Sequence, residues 1–443
     1  MLVTAAEHYG AVMNLDFDYI PYLDTLQARG ANLTRIFSGA YVERAGDIAW
    51  MGDNNTLAPR PNRLIVPWAR SSSQSYANGG NKFNLDVWDA SYFHRLKDFI
   101  SEASQRGILV EVVMFSQMYA DSQWGVSPLN ISNNVNGVGN ISWDQFLTTW
   151  DAGLLARQEA MVAKIVSELH TFDNVYYEIC NEPNTVDGEG GSHDWHVRIV
   201  QKIYDTESAL GARHMIAVNY PDDPIIDDWR VAIVNSHYTW GDSWTGGIEM
   251  LDGYYGKNKV LALDETLGPL YDASASDVRV EAWEMLIGGG AVYNCLSWEF
   301  TSDNPSGTVA NNLILDQLKV LKNYYHGWNF LKMSPHKEIV TSGVPGGAQM
   351  RALVELGQQY IVYLHHGRRD LDTRYTVSPG SHQANLSVDL PAANYRIEWI
   401  NPADGNALSG QDIAHGGGNR TFSSPQYSED ILLQILRIMG DGP

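Results

Sequence analysis

Eight short β-branched or apolar runs alternate with stretches of helical period along the first three quarters of the chain, and this alternation limits the fold more than any other feature. The runs lie at residues 3–9, 32–37, 109–115, 174–181, 215–219, 232–238, 260–265 and 291–298. Helical patterns fall between them at 19–29, 90–106, 154–171, 195–210, 247–255, 276–287 and 313–325, while DDPIIDDW in the connection after the fifth run has room for one turn at most. Strands joined by crossovers pair in parallel, and eight of them predict an α/β fold, the (β/α)8 TIM barrel, whose working face lies at the C-terminal ends of the strands.

After about residue 332 the texture changes. SPHKEIVTSG, QMRALVELGQQYIVYLHHG, ANLSVDL, NYRIEWINPADG and EDILLQILRI are alternating or apolar runs set off by Gly, Pro and Asn-Asp turns. Two domains are expected: a catalytic barrel over residues 1–332 and a small antiparallel β-sandwich over 333–443, docked without a long linker. A chain of 443 residues is long enough for both.

Two of the barrel runs end in an acid. NVYYEICNEPN closes on Asn181-Glu182-Pro183, and KVLALDETLG brings Glu265 to the same end of its strand. Two carboxylates on one rim are the working parts of glycoside hydrolysis. A formal net charge of −22 argues against nucleic acid or an anionic membrane surface as partner and suits a neutral oligo- or polysaccharide. Fourteen Trp and 23 Tyr agree with this, because flat rings stack on sugar faces while their polar tips hydrogen-bond.

No run reaches the roughly 18 apolar residues of a membrane span. The acidic stretches 187–194 and 222–228 lack calcium-loop spacing, and His193 and His196 have no further zinc ligands in view, so neither metal nor cofactor is expected. Cys180 and Cys295 each fall inside a strand and are expected to be buried thiols without a disulfide. A polymer substrate cannot enter a cell, so an extracellular or periplasmic site with a removed leader is expected, a cytoplasmic one staying open. Oligomeric state leaves no mark on the sequence.

Connections 38–89 and 116–153 far exceed the usual two to six residues and should build the substrate site. They carry Trp50, Trp68, Trp88, Trp124, Trp143 and Trp150. Trp124 is the expected sugar-stacking ring, the others serving to pin the loops.

With these motifs the barrel resembles the clan A glycoside hydrolases, nearest in pattern to the family 5 cellulase-like enzymes, and YRIEWINPADG resembles the β-domain appended to several of them. The resemblance implies Glu182 as acid/base and Glu265 as nucleophile. It also implies substrate-site roles for Arg35 in ANLTRIF, His237 and Tyr238 in VNSHYTW, and Trp298 in CLSWEF, the last as a sugar floor. Asn181 would donate to the sugar 2-hydroxyl. Arg35 beside Glu265 would favour its anionic form, with Glu178 as a second partner, and Tyr238 would orient the same carboxylate. Where many relatives carry a His after the third strand, this chain has Phe115-Ser116-Gln117. The implied activity is retaining double displacement on β-glycosidic bonds of a plant- or microbe-derived β-glucan or mannan, endo or exo. A catalytically silent carbohydrate-binding protein on the same fold is the alternative.

Overall fold

In the computed structural model each of the eight runs becomes a strand of one parallel sheet: β1 Leu2–Thr4, β2 Leu33–Phe37, β3 Leu109–Val113, β4 Val175–Glu178, β5 Ile216–Asn219, β6 Val231–His237, β7 Val260–Thr266 and β8 Val292–Cys295. The structure describes the chain apart from residues 6–8, 45–54, 184–191, 220–223, 238–246, 267–272, 296–298, 370–374 and 439–443. The sheet runs β1-β8-β7-β6-β5-β4-β3-β2. Asn32 joins its two ends, its N–H donating to Val3 O at 3.1 Å and its Oδ1 accepting from Val3 N–H at 2.8 Å. The result is the predicted (β/α)8 barrel. The expected runs at 3–9, 109–115 and 174–181 extend past the ladders, which end at Thr4, Val113 and Glu178.

Among the described residues the helices longer than four residues are α1 Tyr19–Arg29, α2 Ala90–Gln105, α3 Ala152–Leu169, α4 His193–Leu210, the short α5 Met250–Tyr254, α6 Ala275–Ile287 and α7 Val309–His326. Their starts follow from capping side chains: Asp18, Asp89, Asp151, Ser192, Ser274 and Thr308 each accept from a backbone N–H of the first turn. Pro224–Asp227 supplies the single turn expected in the weak connection. The long connection 38–89 contains an antiparallel hairpin, Trp68–Gln74 with Asn81–Trp88.

Successive strand residues face opposite ways, so every barrel strand places alternate residues inside. One interior layer is apolar, with Leu33, Tyr176, Ala217, Ile233, Ala262 and Val292 packed together. Two residues further along each strand stand Arg35, Glu178, Asn219, Asn235, Asp264 and Asn294, joined by Thr4 and Glu111 from β1 and β3, all buried. The barrel thus changes from an apolar plug to a polar tier one layer below the rim.

β7 breaks this rule at the decisive place. Ser236 pairs with Leu263 but His237 with Glu265, and on the other side Tyr293 pairs with Leu263 but Cys295 with Thr266. One extra residue in β7 is a β-bulge, and it lets the adjacent Asp264 and Glu265 both reach the interior.

Beyond the barrel a six-stranded antiparallel sheet is ordered Ser334–Pro335, Gln349–Glu355, Gln359–His365, Asp430–Ile438, Ala393–Ile400, Ala407–His415. Period-two alternation gives it two apolar faces. Leu353, Ile361, Tyr363, Ile400 and Leu432 join the core of the barrel's helices, with Tyr363 stacked on Trp283 of α6 at 5.8 Å. Tyr360, Val362, Leu364, Ile397, Trp399 and Leu433 share a second core with Leu386, Val388 and Phe422 of a three-stranded sheet. Arg279 of α6 crosses the first face, donating to Glu429 at 2.6 Å and to Asp430 at 3.0 Å. Cys180 and Cys295 are buried free thiols, as expected. Among the described residues no helix is long and apolar enough to cross a membrane.

Candidate active site

Glu182 stands just past β4 and Glu265 near the end of β7, on the rim that the barrel's polarity assigns to chemistry. One oxygen of each carboxylate and a ring nitrogen of His237 lie within 4.8 Å of one another. His237 Nδ1 is the bridge, 2.8 Å from Glu182 Oε1 and 3.5 Å from Glu265 Oε2. Glu182 has a φ of 42°, a left-handed value few non-glycine residues adopt, directly before Pro183. Strain of that kind persists where the surroundings over-determine it. Here Asn181 is stitched to the third strand's extension, its N–H donating to Phe115 O at 2.9 Å and its O accepting from Gln117 N–H at 3.1 Å. The Tyr119 hydroxyl donates to Glu182 Oε2.

Glu265 is held differently. Tyr9 OH donates to its Oε2 at 2.9 Å and Arg35 Nη1 lies at 3.3 Å from the same oxygen. Burial pushes the Glu265 carboxyl up from the ordinary carboxylate range; His237, Arg35 and the Tyr9 bond pull it back, and Glu182 adds to the rise. Burial would push His237 down, but the charges of Glu265 and Asp264, with the bond to Glu182, hold it well above the usual imidazole range. An imidazolium between two carboxylates is what lets them approach this closely.

Arg35 anchors the polar tier beneath. Its Nη2 donates to both oxygens of Glu178 at 2.8 Å and to Asn181 Oδ1 at 3.0 Å, while Nε lies 3.7 Å from Glu111 and 3.5 Å from Asp264. Asn235 Nδ2 donates to Glu111 at 2.8 Å and to Glu178 at 2.9 Å. Burial and the nearby Glu178 push the Glu111 carboxyl up to about 8, so at neutral pH it keeps its proton. Both expected partners of Arg35, Glu178 and Glu265, are therefore present together.

Trp124 departs from expectation. It is only 3 % exposed, its indole N–H donates to Ile141 O at 2.8 Å and its ring packs on Phe146, so no face is left for a sugar and its work is to pin the loop. Asn181 also differs. Its amide hydrogens point to Ser116 Oγ at 3.2 Å and Tyr119 OH at 3.1 Å, so a bond to a sugar 2-hydroxyl has to replace one of these. Tyr238 and Trp298, like Trp50, lie outside the described residues. Among the described residues Tyr9 makes an orienting contact to Glu265.

Sequence reading missed Tyr9, Tyr119, Glu111, Asn235 and Asp264. The last three had a signal, a polar residue in or closing an apolar run, LVEVV, VAIVN and LALD. Tyr9 and Tyr119 had none, because each acts from outside a ladder.

Carboxylate oxygens of Glu111, Glu178 and Asp264 also lie within 4.8 Å of one another. Such spacing can draw a divalent cation, but each acidic group is already built around a protein cation, Arg35 in this one and His237 in that of Glu182 and Glu265. Charge compensation is supplied by the chain itself.

Several solved structures share this barrel fold. A family 5 glycoside hydrolase from Bacteroides vulgatus superposes with a TM-score of 0.63 at 11% identity, over 98% of this chain and 89% of that one. Another structure, described as a glycoside hydrolase, gives 0.61 at 12% identity over 98% and 92%. The γ-CGTase of an alkalophilic Bacillus clarkii gives 0.51 at 10% over 98% and 70%. Likeness at such identity is likeness of fold. No protein-family model matches the sequence, and no curated protein matches it.

Proposed function

We propose that this chain is a retaining glycoside hydrolase acting on β-linked oligo- or polysaccharides of β-glucan or mannan type. The observation that carries the reading is the approach of Glu182 and Glu265, with oxygens within 4.8 Å across His237. Retaining enzymes hold their carboxyls about 5 to 5.5 Å apart and inverting ones about 6.5 to 9.5 Å, the extra space being needed for a water. Glu265, which accepts from Tyr9 and Arg35, is the nucleophile, because those donors steady its anion. Glu182 is the acid that protonates the leaving oxygen, and later the base that activates water.

The test is a hydrolysis screen over defined β-linked oligosaccharides with the product sizes read out, followed by labelling with the 2-fluoro glycoside of the sugar that is cleaved. Covalent modification of Glu265 is expected. Sugar binding without hydrolysis across the series would instead make the chain a silent carbohydrate-binding protein.

A further inference from the structure

Asp264 takes no part in the chemistry just assigned; alternation from Ala262 points it inward, and the β-bulge turns the nucleophile in beside it. There it is completely buried and meets two cations: Oδ1 lies 3.4 Å from His237 Nε2, and Oδ2 lies 3.5 Å from Arg35 Nε. Arg35 has Glu178, bonded through Nη2, as its main counter-charge. His237 is the group that Asp264 changes, because the other ring nitrogen, Nδ1, is the one on Glu182. Asp264, His237 and Glu182 thus form a line of carboxylate, imidazole and carboxyl from the barrel interior to the rim.

Resting on the hydrolase reading above, we propose that Asp264 is a positioning residue that keeps both nitrogens of His237 protonated, so that His237 stores the proton Glu182 delivers to the leaving group. In the first step the Nδ1 proton passes to Glu182 Oε1, leaving a neutral imidazole whose Nε2–H still faces Asp264. Glu182 gives that proton to the glycosidic oxygen as the bond to the anomeric carbon breaks and Glu265 forms its own bond to that carbon. In the second step Glu182 takes a proton from water as the water oxygen attacks the anomeric carbon and Glu265 leaves. That proton returns to Nδ1, and the site is restored. The arrangement answers a difficulty of the geometry: two carboxylates this close repel when both are ionised, and a protonated His237 lets Glu182 rest as an anion without losing the proton it needs.

Among the described residues the charged groups facing His237 are Glu182 past β4, Asp264 and Glu265 on β7, and, at the next remove, Glu178 on β4 and Arg35 on β2. Removing the Asp264 charge leaves the others in place. The burial that disfavours the imidazolium then weighs more heavily.

The experiment uses the full chain. In the wild-type protein, nitrogen-15 NMR of the imidazoles should show His237 with both nitrogens protonated at pH 7, and a neutral His237 there would overturn the proposal without reference to activity or to any variant. In Asp264→Asn, with folding checked by near-ultraviolet circular dichroism, the alkaline limb of kcat/KM and the His237 titration should move down together by about one pH unit, a tenfold loss on that limb. Activity near pH 5, where His237 is charged in both proteins, should stay within about threefold. A folded variant with an unmoved alkaline limb, or equal loss at every pH, sinks the proton-store role while leaving the hydrolase reading intact. A wild-type protein that hydrolyses none of the substrates fails that reading instead, and the NMR result still reports whether Asp264 holds the imidazolium.

Discussion

Tyr9 and Glu265 lie 256 residues apart in sequence and are joined by a hydrogen bond of 2.9 Å, hydroxyl to carboxylate. The same hydroxyl accepts from Arg35 Nη1 at 3.0 Å, and its ring stacks on Phe37 at 4.4 Å. Tyr9 therefore cannot turn away, and it fixes which oxygen of Glu265 is occupied by donors.

Tyr9→Phe keeps the ring and removes the donor. A hydrogen bond to a charged group contributes about 1.5 to 3 kcal/mol, so kcat/KM should fall roughly ten- to a hundredfold. The melting temperature should change little, because the stack on Phe37 survives. Steady-state kinetics beside a thermal melt check both, and unchanged kinetics would remove Tyr9 from the site.

Glu182→Gln and Glu265→Gln should each abolish most turnover with the fold retained, since the exchange alters charge and leaves shape. In the wild-type protein the first-formed sugar should have the anomeric configuration of the substrate, because at this separation water has no room beside Glu265. Proton NMR before mutarotation reads the outcome. Initial release of the opposite anomer would contradict the nucleophile assignment.

Glu111 gives a prediction about pH and stability. Its carboxyl is pushed up to about 8 in the folded chain, above its ordinary value near 4.5. Between those values the native state binds more protons than the unfolded one, so this contribution is whole below about pH 4.5 and is lost as pH rises through about 8. Glu111→Gln, which stays neutral, should flatten the decline of melting temperature from pH 6 to 9. Parallel slopes for the two proteins would show that Glu111 is ionised when folded.

The six-stranded sheet covers apolar barrel surface, including Trp283 and Tyr324 of α6 and α7. A chain ending before Ser334 should expose that surface and aggregate before its specificity changes. Arg279→Met is the milder version: it strands Asp430, a buried acid, and should cost about 3 to 5 kcal/mol. Chemical denaturation measures the loss, and a fully soluble, stable barrel without the sheet would show that the contact is dispensable.

The sequence by itself determined the eight strands, their alternation with helices and the ends at which Glu182 and Glu265 sit. These depend on local signals, period, caps and turn residues, that each segment carries within itself. α1 runs over Tyr19–Arg29, as its pattern predicts. Arg35 was legible with both its partners, because strand alternation put Glu178 and Glu182 on one side.

Tertiary structure alone decided the rest. Whether Trp124 shows a face to sugar or buries it depends on the meeting of Ile141, Phe146 and the loop, which no period encodes. That Tyr9 reaches Glu265 depends on barrel closure bringing the first connection beside the seventh strand. Alternation read from sequence puts neighbours Asp264 and Glu265 on opposite faces; the bulge in β7 turns Glu265 inward beside Asp264. A bulge is a mismatch between two strands, set by how each meets its partner, and a single strand's sequence does not contain it.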